Sequence, residues 1–293
     1  MRELKFTAVS FLSIMLILVL APLSAHAHGT AGKRFFPTTF QVDDPFISDE
    51  FSLLVDHRKQ PGDAPNNSTE FNLDYSKRIL PNFGLEFHDA YQRLDGAGAT
   101  SGWENLSVGG KWQFFTSEQH ETILSLGTDV EIGGTGARRI AENTSTVSPA
   151  LFFGKGMGDL PDSASFLKPF AVTGAIGPDF PIRSENPATF SWGFTLQYSL
   201  QYLQSYVKDV GLGAPFNRMT LVTEFPMQTD VDTRQTTGTV NPGIVWMGKS
   251  VEFGVAAEIP INARSGNSIG VMALFHLFLD DLFPNSIGRP IFP

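Results

Sequence analysis

The densest group of potentially reactive side chains is two carboxylates and an imidazole. Glu86 and His88 stand two residues apart, so on an extended strand they share one face, and Asp74 falls on the preceding extended segment. Such a set could hold a divalent metal, although an acid bonded to a polar histidine uses the same residues without one. His28 would open the chain once an export signal is removed, and a terminal amine beside an imidazole chelates copper. His28, Glu86 and His88 are therefore weak metal candidates, and no cofactor is expected. Nucleophilic catalysis finds less support. Serine is plentiful and His88, His120 and His276 could act as bases, but no Gly-x-Ser-x-Gly elbow occurs. The absence of cysteine excludes thiol catalysis, Cys-ligated zinc and disulfides. The glycine-rich stretches GGTGARR and GKGMGDLPDS have neither Walker spacing nor a βαβ context. No enzyme is expected, a membrane-embedded lipid hydrolase being the less favoured alternative.

The elements that carry these residues are legible from a period of two. From Phe190 to Tyr202 every second residue is large and apolar, and those between are small or polar. Only a strand places alternate residues on one face, and about ten residues let a tilted strand cross a bilayer. Similar character recurs over about twelve segments, 49–57, 70–79, 83–92, 103–115, 121–132, 147–154, 166–177, 189–202, 218–228, 238–247, 250–262 and 268–280. Pro149 and Pro242 weaken two of them, since proline donates nothing to a ladder. The reading is all-β, a single antiparallel transmembrane barrel of about 12 strands. In strand 189–202, Phe190, Trp192, Phe194, Leu196, Tyr198 and Leu200 should face lipid, with Thr195 and Gln197 inward. A mean hydropathy of −0.04 beside 26 Phe and 28 Gly suits strands that are apolar on one face and polar on the other.

The N-terminus supplies the address. Arg2 and Lys5 precede an apolar run from Phe6 to Leu20, and Ala25-His26-Ala27 fits a small-x-small cleavage site. Residues 1–27 read as a signal peptide, 28–47 as a periplasmic leader rich in Pro and Asp, 48–283 as the barrel and 284–293 as a tail. The chain carries a net charge of −9. No basic patch suggests nucleic acid, and no later run offers a helical span. The expected location is the cell outer membrane.

Inward positions carry more acid than base: Asp74, Glu86, Asp129, Glu131, Glu224, Glu252 and Glu258 against Lys111 and Arg218, with His88 and His276 on the same face. In an open pore such a lining would favour cations or neutral solutes over anions, and Glu252 and Glu258, about 20 Å apart along one strand, would form two acidic stations. Alternatively the same groups form a network across a narrow barrel, partly neutralised by Lys111, Arg218 and Arg78. Met272, Leu274 and Phe278 on the last strand's inner face would suit a plug, an apolar path or simple packing.

The stretches FNLDYSKRILPNFGLEF, GGTGARR, FFGKGMGDLPDS, TTGTVNPGIVW and FLDDLFP resemble a little-characterised family of proteobacterial outer-membrane barrels, similar to transporters of the phenol-degradation MetA-pathway type. The resemblance implies a barrel with a transport role and assigns no site residues. The last strand, Ile269 to Leu279, resembles the aromatic-ended closing strand recognised by the outer-membrane assembly machinery, although here the tail follows it. The expected partners are that machinery, the lipid bilayer and a small-molecule or ion solute. The expected function is a channel or transporter for small apolar or cationic solutes, the alternative a non-conducting structural or adhesive barrel.

Overall fold

Alternating sequence becomes a closed wall. The computed structural model describes residues 29–59, 67–96, 98–182 and 187–292; the expected signal peptide and His28 lie outside them. Twelve long strands follow in chain order: β1 (Glu50–Lys59), β2 (Asn67–Leu80), β3 (Phe83–Asp95), β4 (Ser107–Ser117), β5 (Thr122–Glu131), β6 (Ser145–Gly156), β7 (Phe170–Ile182), β8 (Thr189–Ser199), β9 (Met219–Asp230), β10 (Thr236–Met247), β11 (Val251–Pro260) and β12 (Gly270–Phe278). Each pairs antiparallel with the next, and β12 closes on β1 from Val271↔His57 to Phe278↔Glu50. Closure gives each of the twelve long strands a neighbour on both sides, which a bilayer interior requires. A short strand, Thr100–Trp103, extends the rim beside β3.

Burial along these strands inverts the pattern of a soluble protein. Leu196 and Val255 are 42% and 58% exposed, whereas Thr173, Thr195, Glu224, Asn241, Glu252 and His276 are fully buried. An exposed apolar band around a polar interior is the signature of a lipid-facing barrel. Aromatic rings gather at its two borders. Phe170 meets Tyr198, and Trp246, Phe253 and Phe275 form a row, near the end where strands join by the tight turns Pro81-Asn82 and Gly248–Ser250. Tyr91 meets Trp103 at the loop end.

Three expectations are corrected, and the two proline-bearing segments are borne out as strands. The strand read as 166–177 begins at Phe170, because Asp162–Leu167 forms a 3-10 turn. The strand read as 189–202 stops at Ser199, whose side chain accepts a hydrogen bond from the Tyr202 amide and caps a helical turn, so Leu200 leaves the lipid face. The weak segments with Pro149 and Pro242 are full strands. Pro149 sits opposite Thr128 while its ladder to β7 is interrupted, and Pro242 opposite Thr223 while its ladder to β11 is interrupted, so the missing N–H faces a gap on each strand. The segment read as a periplasmic leader lies inside the barrel from Phe36 onward, held there by wall side chains that reach its backbone.

Candidate functional site: the plugged lumen

The leader enters at the turn end, where a buried ion pair pins it. Arg34 donates through Nε to Glu121 Oε2 at 3.1 Å, through Nη1 to the Pro169 carbonyl at 3.0 Å and through Nη2 to the Lys168 carbonyl. Its guanidinium lies over the Tyr202 ring at 3.9 Å, and the Tyr202 hydroxyl donates to Glu121 Oε1 at 2.8 Å. Glu121 also accepts from the Gly158 amide at 3.1 Å. A Cβ on Gly156 or Gly158 would stand 2.1 or 2.2 Å from a Glu121 carboxylate oxygen, so the glycines of GKGMGDLPDS make room for an acid rather than a phosphate. Burial draws the Arg34 pKa below its ordinary value against the pull of Glu121. Burial and then the bond to Glu121 push the Tyr202 phenol up to about 12.

Beyond this anchor the chain climbs into the lumen, where an extended segment has no strand to satisfy its amides. Wall carboxylates take that role. Glu252 Oε2 accepts from the Thr38 amide at 3.1 Å, and Glu224 accepts from the Phe40 and Gln41 amides at 2.7 and 3.0 Å. The Gln41 side chain accepts from Asn241 at 2.8 Å. Phe40 packs among Leu54, Val222, Val245, Ala256, Met272 and Leu274, with a Cβ on Gly254 excluded by its ring at 2.8 Å. The apex, Gln41 to Asp43, turns back under Lys111, whose ammonium donates to both Asp43 carboxylate oxygens at 3.2 Å and to the Asp44 carbonyl at 3.1 Å, and pairs with Glu86 at 2.8 Å. The descending limb is fixed by Ser125 on the Pro45 carbonyl and by Gln113 on the Ile47 amide. At the foot, Asp49 accepts from Lys77 Nζ at 2.5 Å and from Arg78 Nε at 2.8 Å. Arg78 also reaches Asp280 at 3.2 Å, and the tail folds against the same strand, Phe292 donating to the Ile79 carbonyl.

The plug leaves two spaces beside its apex, both lined by Gln41, Val42 and Asp43. One, of 340 Å³, is bounded by β6 to β10 and carries Ser148, Asp179, Ser191, Gln228 and Thr237. The other, of 470 Å³, is bounded by β1 to β5 and by Leu274 of β12, and carries Asp56, Arg58, Glu70, Asp74, Glu86, His88 and Asp129.

The expected lumen residues thus divide by task. Glu224, Glu252 and Lys111 hold the leader. Glu258 pairs with Arg58 at 2.8 Å and faces Gln41 at 3.5 Å, so Glu252 and Glu258 are not two free stations of an open pore. Asp74, Glu86, His88 and Asp129 line the larger space, with His88 bonded to Asp74 at 2.6 Å. Glu131 accepts from Asn105 at the loop rim. His276 is the cross-strand partner of Ser52, whose hydroxyl stands 2.7 Å from Nδ1, and its Nε2 lies 3.5 Å from Glu50. That chain resembles a serine–histidine–acid relay, but it lies beneath Thr38 of the leader and within the paired β12–β1 ladder. Among the described residues no group of three metal-ligating side chains converges. Sequence reasoning missed Arg34, Asp49, Asp56, Glu121 and Asn241. Of these only Asn241 stands within a stretch singled out as a motif, TTGTVNPGIVW.

Comparison with known proteins bears on the fold. No protein-family model matches the chain, and no curated protein matches it in sequence. Among solved structures it is similar to the COG4313 outer membrane channel from Pseudomonas putida F1, with a TM-score of 0.54 and 11% identity over 83% of this chain and 99% of that one. Weaker matches include the KdgM porin, at a TM-score of 0.47 and 12% identity over 77% of this chain and 98% of that one. LpxR from Salmonella typhimurium follows at 0.43 and 12%, over 78% and 99%. The chain is an outer-membrane β-barrel.

Proposed function

We propose that the protein is an outer-membrane channel for small solutes whose lumen is occupied by its own N-terminal segment. The supporting observation is the way the interior is filled. The leader is tied by hydrogen bonds and ion pairs to side chains of the wall, and unfilled polar space remains on both sides of its apex. With the tight turns and both ends of the barrel on the periplasmic side, the leader enters from the periplasm and the two spaces lie toward the cell exterior. Excess carboxylate in the larger space favours cationic over anionic solutes. Export through residues 1–27 and insertion by way of the aromatic-ended β12 belong to the same reading. Planar-bilayer recording of the purified mature protein tests it: discrete current steps with cation preference are expected. A folded but silent barrel would favour a non-conducting role, which the number of contacts holding the leader makes the natural second reading. Fractionation should place the protein in the outer membrane with heat-modifiable gel migration.

A further inference from the structure

We infer that the 470 Å³ space is a binding site for a small alkylammonium ion, a primary amine in its protonated form. The proposal rests on the reading of the lumen as a solute path and names the solute class. Asp56, on the inner face of β1, is 4% exposed, lies in the cavity wall, and has one carboxylate oxygen, Oδ1, with no hydrogen-bond partner. Its other oxygen stands 3.7 Å from Arg58, which is already committed to Glu258 at 2.8 Å. A buried carboxylate oxygen without a donor is costly, and a small turn of the Asp56 side chain in the cavity wall would offer that acceptor to whatever occupies the space. Glu70 and Asp74 line the same cavity and add negative charge. Part of the lining beside Asp56 is apolar: Leu54, two residues along the same strand, its cross-strand partner Leu274, and Phe40 belong both to this cavity and to the core cluster around the plug.

Three features select the ligand class. The convergence of ligands that a metal ion demands is missing among the described residues, which disfavours a bare divalent cation. A single free oxygen suits the compact, three-donor ammonium better than a planar guanidinium, which prefers two parallel acceptors. An apolar surface beside the acid accommodates a short methylene chain, as lysine stems cover apolar surface elsewhere in proteins. The volume lies within the range of small-molecule pockets, about 300–1,000 Å³.

The test is calorimetric titration of the full mature protein in detergent, with n-butylammonium chloride as the probe. Saturable binding is expected for butylammonium and none for n-butanol or sodium at the same concentration. Affinity should rise from methylammonium to butylammonium as methylenes cover Phe40 and Leu54. Asp56→Asn should weaken butylammonium at least tenfold while keeping the heat-modifiable band of a folded barrel. Absence of heat, meaning that water alone fills the space, would overturn the proposal. So would a flat chain-length series in the unaltered protein, a result that holds even if Asp56→Asn fails to fold. Binding in a barrel silent in planar bilayers would sink the channel reading and leave the site standing; current steps without amine binding would do the reverse.

Discussion

At the scale of single residues, the interior acids are best understood as replacements for a missing neighbouring strand. Glu224 is fully buried and accepts two successive leader amides. Replacing it with Leu strands the buried Phe40 N–H at about 1–3 kcal/mol and the part-buried Gln41 N–H at less, whereas Gln keeps one acceptor oxygen. Glu224→Leu should therefore lower the thermal transition, followed by loss of the heat-modifiable band, clearly more than Glu224→Gln; equal shifts would mean that charge rather than acceptance matters. The Tyr202–Glu121 bond carries a pH signature. The phenol's pKa is raised by the fold to about 12, so the protonated form is the one the fold holds. Its contribution is complete below the ordinary tyrosine value near 10 and is lost as pH climbs through about 12. Alkaline titration at 295 nm should show a late-titrating tyrosine that disappears in Tyr202→Phe.

At the scale of elements, β8 shows both the reach and the limit of the period-two pattern. Its lipid-facing row places Leu196 in the apolar band, and Leu196→Arg should cost up to roughly 2–4 kcal/mol, the penalty for a basic side chain at the midplane. An interior control must be chosen with the packing in view. Gln197 faces inward but is 2% exposed and donates to Thr173, so it offers no room for arginine. Ser191 lines the 340 Å³ space near the Asp179 carboxylate, and Ser191→Arg should be milder by at least about 1 kcal/mol in urea unfolding of the refoldable barrel. Strand identity, number and facing were legible because half-buried strands must alternate. Their ends were less so: Ser199 stops β8 through a cap whose partner is three residues away, and the alternation of Leu200 and Tyr202 continues past it into a helical turn. The prolines of β6 and β10 weakened two segments that the pattern still counted as strands; what the sequence does not show is the gap in the neighbouring ladder that tolerates them.

At the scale of the whole molecule, the leader was the least legible part. A segment that pairs with side chains instead of a strand carries no period, and its partners stand 184 and 214 residues away in sequence. The stretches that mark the family resemblance make sense once it is in place: SKR in the first supplies Lys77 and Arg78 for Asp49, GKGMG admits Glu121, NPG carries Asn241 for Gln41, and LDD brings Asp280 to Arg78. These anchors bind leader to wall without a covalent link, so the plug is the element whose displacement would open the barrel. The chain has no cysteine, which makes that testable by a single engineered disulfide. Val42 at the apex lies against Gly193 of β8, where an added Cβ would meet a Val42 methyl at 3.0 Å, close enough for paired cysteines. In the double variant Val42→Cys with Gly193→Cys, oxidation should abolish or sharply reduce the current steps in planar bilayers, and reduction should restore them. If oxidised and reduced barrels conduct alike, solute passes beside a fixed plug through the two spaces at its apex, and the leader is a structural strut rather than a gate.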